Sequence, residues 1–348
     1  MSSKGLGNKY GYHRVLEPKG VLPQTAWKID NDMDIWDNEI LVSVSTLNID
    51  SASFTQIKQQ AENDEKKVAQ IILDTVEKRG KQHNPVTNSG GMFVGTVKKI
   101  GDVLKDKLDI NVGDKIASLV SLSLTPLKIY SIKKVHLHTQ QVEVEADAVL
   151  FESGVWGKIP QNIPEKVALA VLDVAGAAPQ VAKLVNPGDT VAIFGATGKS
   201  GLLCCYEAKK RAGINGKVIG IDLSQIGLKR LSELGFCDIL IKANAQNPLE
   251  VYYQFLEETD GILADVSFNM VNVENTEMSS ILCTKDGGKI YFFSMATSFT
   301  KAALGAEAVG KDVDMIIGNG YTKGHANFTL SLLEESKKLR NLFIELYG

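Results

Sequence analysis

Between residues 39 and 134 the apolar positions come in short runs rich in Val and Ile, EILVSVSTLNI, MFVGTVKKI, DKIASLVSLSL and LKIYSI, set apart by turn-forming residues. Such runs predict strands joined by turns. Residues 54–79 break this rhythm, because FTQIKQQAENDEKKVAQIILDTVEKR combines good helix formers with dense charge and predicts a helical insertion over about 54–80. From Pro164 onward strands and helices alternate. A helix is predicted through VALAVLDVAGAAPQVAKLV, then TVAIF as strand, KSGLLCCYEAKKRA as helix and KVIGID as strand. LKRLSEL (helix), DILI (strand), PLEVYYQFLEET (helix) and the strands ADVSF and KIYFFS follow. FTLSLLEESKKLRNLF reads as one last amphipathic helix. Strands alternating with helices of this length predict a parallel sheet covered on both faces. The expected class is α/β: a Rossmann-type doubly wound sheet over residues 161–319, with 1–160 and 320–348 forming a β-rich domain.

Composition narrows the partners. The chain has 348 residues, which favours two cores over one. With 38 Lys+Arg against 41 Asp+Glu, it carries no basic field for nucleic acid or anionic lipid. A small-molecule partner is expected, with no nucleic acid and no membrane. Cysteines stand only at 204, 205, 237 and 283, too few and too badly spaced for a disulfide framework. Together with the lack of an apolar leader in MSSKGLGNKYGYHR, this predicts a cytoplasmic protein. Cys204 and Cys205 open a packed helix and are expected in the core.

The strongest chemical signal is the turn between TVAIF and the following helix, Gly195-Ala196-Thr197-Gly198-Lys199-Ser200-Gly201. Glycines there permit a tight bend and close backbone approach, and a helix N-terminus offers free N–H groups to a pyrophosphate. Gly195, Thr197, Gly198, Lys199, Ser200 and Gly201 are therefore candidate cofactor-binding residues. The spacing has one residue more between its first two glycines than the common dinucleotide fingerprint. Asp222 ends the next strand, 21 residues after Gly201, where a carboxylate accepts hydrogen bonds from the adenosine ribose and repels a 2′-phosphate. That favours NAD as cofactor. Gly198-Lys199-Ser200 also resembles the end of a triphosphate-binding loop, but that motif requires glycine at the position of Ile193, inside the strand.

Asn88-Ser89-Gly90-Gly91-Met92-Phe93-Val94-Gly95-Thr96-Val97 with Ile100-Gly101, and then Val112-Gly113-Asp114-Lys115-Ile116, resemble segments of the medium-chain dehydrogenase/reductase family. The resemblance implies a GroES-like β-rich catalytic domain beside the Rossmann domain, and a homodimer. Gly91 and Met92 stand where zinc-dependent members carry a histidine ligand and its glutamate neighbour, and Asp50 falls near their zinc cysteine. No cysteine precedes 204, so no metal is expected. The blocks GYHRVLEPKGVLPQ, LNIDSASFTQI, NPVTNSGGM, SLVSLSLTPL, LLCCYEAKKR, FFSMATSFTKAALGAEAVGKDVDM and IGNGYTKGHA resemble a narrower zinc-independent group within it. That resemblance implies NAD-dependent oxidative deamination of a 3,5-diamino acid with release of ammonia, a step of lysine fermentation.

Such a reaction needs a group that takes a proton from the ammonium and later shuttles protons through hydrolysis of the iminium. Three carboxylates are candidates. Asp50 lies near the family's catalytic position, and could equally cap the helix that follows it. Asp173 sits in an apolar helix and must be paired or face a site. Glu152 precedes the domain crossover and could be an exposed strand-end acid. Ser294, after KIYFFS, is implied by the family layout to lie near the nicotinamide, or else caps the next segment. His136 and His138 share a strand face but have no third ligand nearby, which favours surface histidines. Two other readings stay open, a zinc-independent alcohol or quinone oxidoreductase and a non-catalytic NAD-binding protein.

Overall fold

The computed structural model describes residues 4–318 and 320–348. The chain divides into two compact units, Met1–Gln161 and Asn162–Gly348.

The first unit contains β1 (Val15–Glu17), β2 (Lys28–Ile29), β3 (Glu39–Asn48), α1 (Ser51–Gln60), α2 (Glu65–Arg79), β4 (Met92–Ile100), β5 (Lys115–Ser118), β6 (Leu127–His136), β7 (Gln141–Phe151) and β8 (Trp156–Lys158). Six of the strands form one antiparallel sheet in the order β6-β7-β3-β4-β5-β8. β3 is flanked on both sides, and its Val42, Val44 and Leu47 join Phe93, Ile116, Leu127 and Val144 in the core. Only Lys115–Ser118 of the expected strand 114–124 pairs as strand, and the hydroxyl-rich remainder turns. The insertion is two helices rather than one. Glu62 and Asn63 adopt left-handed backbone, which a helix of L-residues does not accommodate, and Asp64 starts α2 by accepting from the amides of Lys66 and Lys67.

The second unit contains α3 (Glu165–Leu172), α4 (Ala177–Leu184), β9 (Thr190–Phe194), α5 (Lys199–Ala212), β10 (Lys217–Asp222), α6 (Gln225–Leu234), β11 (Ile239–Lys242) and α7 (Pro248–Glu258). It continues with β12 (Ala264–Asn269), α8 (Glu277–Cys283), β13 (Thr284–Phe292), α9 (Phe299–Ala308), β14 (Val313–Ile317), α10 (His325–Glu335) and α11 (Lys337–Tyr347). Its sheet is parallel, in the order β11-β10-β9-β12-β13-β14. Strand order reverses between β9 and β12, which is where such sheets bind ligands, beyond the strands' carboxyl ends. All five residues of β9 are buried, as a central strand covered on both faces requires.

Two expected helices of this unit are broken. The run 167–185 bends by 51° between α3 and α4. A Cβ on Gly176, at that corner, would lie 2.3 Å from the carbonyl oxygen of Gly320. The last helix is divided at Ser336, whose side chain caps α11 through the amide of Leu339. Residues 320–348, expected to belong with the first domain, pack instead within the second unit. Thr329 Oγ1 donates to the Ala175 carbonyl at 2.7 Å, Gln180 Nε2 donates to Thr322 Oγ1 at 3.1 Å, and Lys210 pairs with Glu335 at 2.7 Å. The apolar stripe of an amphipathic helix does not encode which of two cores will receive it. Among the described residues no single helix is long and apolar enough to cross a membrane; the bent α3–α4 pair has the composition but is largely buried in its own unit.

Candidate functional site

Four loops converge at the carboxyl edge of the parallel sheet. After β9 the chain turns at Gly195 with φ +77°, and the amides of Gly195 and Ala196 donate to the Ile221 carbonyl at 2.9 and 3.2 Å. A Cβ on Gly195 would come within 3.2 Å of Met270 and Val271, which follow β12, so this turn lies at the point of strand reversal. Gly201 is held closer still. An added Cβ would sit 2.1 Å from the Gly195 carbonyl oxygen and 2.6 Å from the carbonyl carbon of Ala196, so only glycine lets α5 start directly against the bend.

Gly198 is different. It is the N-cap of α5, has ordinary extended backbone (φ −75°, ψ 172°), and a Cβ there would find only the Gly195 oxygen, at 3.6 Å. Protein packing does not require this glycine, whereas a diphosphate laid across the helix start would. No side chain caps α5, and Leu202 is the first residue of the helix whose amide returns to Gly198. The amides of Lys199, Ser200 and Gly201 therefore face outward at the positive end of the helix dipole. Residues Gly195 to Gly201 thus fit a dinucleotide pyrophosphate.

Asp222 lies where the ribose acid was expected, and it also braces the loop. Its Oδ2 accepts from the Thr197 amide at 3.0 Å and its Oδ1 from the Ser224 amide at 2.9 Å. Thr197 packs on the start of α6, where a Cβ on Gly227 would be 2.6 Å from its side chain. Ser294 follows β13 at the same edge, donating to Asn272 Oδ1 at 3.2 Å and accepting from the Ala296 amide at 3.1 Å. Lys199 and Asp173, both predicted site residues, meet each other at 2.5 Å, with side chains 36% and 35% exposed. Asp173 ends α3 as its C-cap, and its carboxylate, after the larger effect of burial, helps push the Tyr347 hydroxyl up.

The remaining two carboxylates belong to the first unit and do not come together. Asp50 follows β3 and caps α1, its Oδ1 accepting from the Ser53 amide at 2.9 Å, while its Oδ2 is buried with no hydrogen-bond partner among the described residues. Glu152 follows β7, whose Phe151 pairs with Glu39 at the far end of β3. The ten residues of β3 separate the two acids by roughly 30 Å at ~3.3 Å per residue. Glu152 accepts from Asn38 Nδ2 at 2.9 Å, and that buried asparagine also exchanges hydrogen bonds with Gly7. It fastens the N-terminal segment and stands too far away to act on the group Asp50 would touch. Beside it, Glu39 is buried with Arg14 and His13. Burial would raise the Glu39 carboxyl, but the hydrogen bonds from Arg14 and His13 outweigh it and hold the group at about 2. His136 pairs with Glu143 at 2.6 Å. Among the described residues no three His, Cys, Asp or Glu side chains group where an ion could be held.

Next to Asp50 lies a polar cluster that sequence reasoning missed. Lys81, Gln82, His83 and Asn84 follow α2 in irregular backbone and are 0, 0, 6 and 2% exposed. Lys81 Nζ donates to the carbonyls of Pro23 (2.7 Å) and Gln24 (3.3 Å). Burial, with the nearby Arg79 cation adding to it, pulls its ammonium down to about 7. The His83 imidazole is likewise brought down to about 4, first by burial and then by Lys81 and Arg79, against a smaller opposing effect from Asn88. Asn84 Nδ2 donates to the Ser53 carbonyl at 3.3 Å, tying the cluster to the turn that Asp50 caps. The segment lies close because of two glycines. A Cβ on Gly90 would be 2.2 Å from the Gln82 carbonyl, and one on Gly91 (φ +95°) would be 2.7 Å from the Asp50 amide nitrogen. A cavity of about 300 Å³ between Trp27, Asp74, Arg79 and Pro85 contains none of the predicted site residues.

Residues 13–160 match the family described as the L-erythro-3,5-diaminohexanoate dehydrogenase N-terminal domain. The chain is 59% identical over 341 residues to the L-erythro-3,5-diaminohexanoate dehydrogenase of Acetoanaerobium sticklandii, an alignment covering 98% of this chain and 99% of that one. It is 57% identical over 344 residues to the enzyme of the same name from Fusobacterium nucleatum subsp. nucleatum, with the same coverage. Among solved structures, mycobacterial Rv1454c complexed with NADPH superposes with a TM-score of 0.57 at 16% identity, covering 88% of this chain and 83% of that one. At that identity the likeness shows the fold, which is that of the medium-chain dehydrogenases/reductases.

Proposed function

The chain belongs to the L-erythro-3,5-diaminohexanoate dehydrogenase family, and from that premise we propose that it carries out the NAD-dependent oxidative deamination of L-erythro-3,5-diaminohexanoate to 5-amino-3-oxohexanoate and ammonia, as in bacterial lysine fermentation. It is an oxidoreductase. The observation that carries the cofactor half of the reading is the open space over Gly198 at an uncapped helix start, which suits a dinucleotide diphosphate. In this reading the amides of Lys199, Ser200 and Gly201 hold the diphosphate, Lys199 adds its charge, Asp222 holds the adenosine ribose, and Ser294 stands by the nicotinamide. When bound, that ring supplies the hydride acceptor.

Asp50 is the proton-transferring group. Its Oδ1 is fixed by the Ser53 amide, which leaves Oδ2 uncommitted and oriented. Oδ2 takes a proton from the C3 ammonium, and the hydride on C3 then leaves with its electron pair, forming an iminium. Once that first proton has passed to solvent, the same oxygen takes a proton from the water that attacks C3, returns it to nitrogen, and takes the hydroxyl proton as the carbinolamine expels ammonia and leaves the ketone. Asp173, engaged by Lys199, acts through that lysine and not on the reacting carbon.

The experiment is a paired assay of NADH absorbance and ammonia release with L-erythro-3,5-diaminohexanoate. Wild-type protein should form both products in equal amounts; the diamino acid carries no hydroxyl, so neither product from it, with NADH formed from an alcohol, would instead indicate an alcohol oxidation. Asp50→Asn preserves the cap but removes the base, so NADH binding should persist while turnover falls about 10²- to 10⁴-fold. Wild-type kcat in that variant would remove Asp50 from the mechanism. The open edge strand β14, with Ile317 61% exposed, suits pairing with a second copy, and light scattering should find a homodimer.

A further inference from the structure

We propose that Lys81, Gln82 and His83 receive the carboxylate end of the amino-acid substrate, with Lys81 as its counter-ion; the proposal rests on the reading of the chain as a 3,5-diamino acid dehydrogenase. Leaving aside Glu207 Oε2, which pairs with Lys210 at 2.8 Å, six buried polar side-chain atoms among the described residues lack a well-formed hydrogen bond, and five of them belong to Asp50, Gln82 and His83, the imidazole having no more than a weak contact with the Asn88 side chain. Buried polar groups are ordinarily satisfied, and each exception destabilises the fold. Five in one neighbourhood mark a place whose partners arrive from outside the chain.

Charge specifies the visitor. Lys81 is fully buried, no carboxylate among the described residues pairs with it, and the titratable groups acting on it are cations or become so, Arg79 and His83. Its two hydrogen bonds go to neutral carbonyls and leave one N–H unused. A buried lysine without a counter-ion, beside a free carboxamide, is a receptor for an anion, whose arrival restores the ammonium that burial disfavours. The donors available, one ammonium N–H, the amide of Gln82 and the imidazole N–H, match the lone pairs of a carboxylate. Gln82 Oε1 is left to accept from a substrate ammonium.

Position agrees with this assignment. The two glycine clearances, with 3.8 Å between consecutive Cα atoms, place the Gln82 carbonyl and the Asp50 amide no more than about 12 Å apart. A β-amino acid, whose carboxylate is two carbons from the reacting amine, spans such a gap once side chains extend into it. The orphaned atoms are closed to solvent, so binding requires the turn at 85–88, where Val86 is 65% exposed, to lift and reseat.

The test compares 3,5-diaminohexanoate with its primary amide, which keeps both amines and lacks the negative charge. Lys81→Met should lower kcat/KM for the acid about 100-fold and leave the amide within about threefold, with NADH affinity unchanged. Gln82→Leu, which changes no charge and stands in should the lysine variant not fold, should raise KM for the acid about tenfold with little change in kcat. A parallel fall for acid and amide, or no fall for the acid, would overturn the assignment and leave these residues structural or merely hydrated. Should wild-type protein fail to oxidise the diamino acid at all, the functional reading fails separately. Calorimetry with 3-aminobutyrate and its amide then decides the anchor: acid-selective binding lost in Lys81→Met upholds it, and equal binding refutes it.

Discussion

Replacing Gly198 with alanine adds one methyl group at the start of α5, and the structure separates what that group does to the protein from what it does to a bound dinucleotide. The backbone at 198 is already in a region open to alanine, and the new Cβ meets nothing nearer than the Gly195 oxygen at 3.6 Å. Stiffening the unfolded chain stabilises by about 0.4–1 kcal/mol, while alanine is a poorer N-cap than glycine by a similar amount, about 0.5–1 kcal/mol. The two offset, and the melting temperature should move by no more than about 2 °C. A diphosphate over the same point is displaced by the methyl group, and losing one or two charge-assisted hydrogen bonds of about 1.5–3 kcal/mol each weakens binding on the order of 100-fold. Gly201→Ala is the contrast. Its Cβ would start 2.1 Å from the Gly195 oxygen, so loop and helix must part; overpacking of about 1–3 kcal/mol lowers the melting temperature by roughly 3–10 °C. Titration of NADH fluorescence beside thermal unfolding reads both variants. Wild-type NADH affinity in Gly198→Ala would mean that the cofactor does not cross the helix start, and the site described above would be wrong.

Asp222→Ser should reduce the NAD-over-NADP preference in kcat/KM, and because it also releases the Thr197 amide, affinity for NAD itself should drop; an unchanged NAD/NADP ratio would assign Asp222 to bracing alone. Glu39 gives a pH signature in the first unit. Its carboxyl is held at about 2 when folded against 4.5 ordinarily, so the unfolded chain binds more protons between those values. The resulting contribution, about 3 kcal/mol, is complete above pH 4.5 and vanishes as pH falls toward 2. Denaturant titrations across that range should show the loss, and Glu39→Gln should flatten it while lowering stability at neutral pH, because Arg14 is then buried without its partner.

The nucleotide-binding half was legible because several local signals agree there. A mostly apolar strand, a glycine turn, a helix and an acid at the end of the next strand occur in the order that one right-handed crossover requires, and the sheet order follows from repeating it. The helix breaks were less visible. Nothing in the apolar spacing of residues 167–185 separates a straight helix from one that bends to admit Gly320. The same limit sent residues 320–348 to the other domain, since Thr329 and Lys210 find their partners across long stretches of sequence. Asp50 was recognised as both a cap and a base, and the structure explains why the two descriptions compete: one carboxylate oxygen does the capping and the other is left over.

The cluster at Lys81 to Asn84 was invisible for a deeper reason. Sequence patterns report burial through apolar periodicity, and a polar segment in irregular backbone has none, so four consecutive polar residues read as an exposed loop. What buries them is distant: Gly90 and Gly91 let the returning chain lie on Gln82 and Asp50, and the carbonyls of Pro23 and Gln24 close over Lys81. Those contacts fix the backbone but leave Gln82 unsatisfied and His83 with no more than a weak contact with the Asn88 side chain. A fold that needed only stability would fill such positions with apolar side chains, which remove the same surface from water without stranding donors and acceptors. Retaining a cation, an amide and an imidazole there follows if a ligand supplies the missing partners, and a zwitterionic amino acid carries both the carboxylate that Lys81 lacks and the ammonium that Asp50 Oδ2 and Gln82 Oε1 can accept.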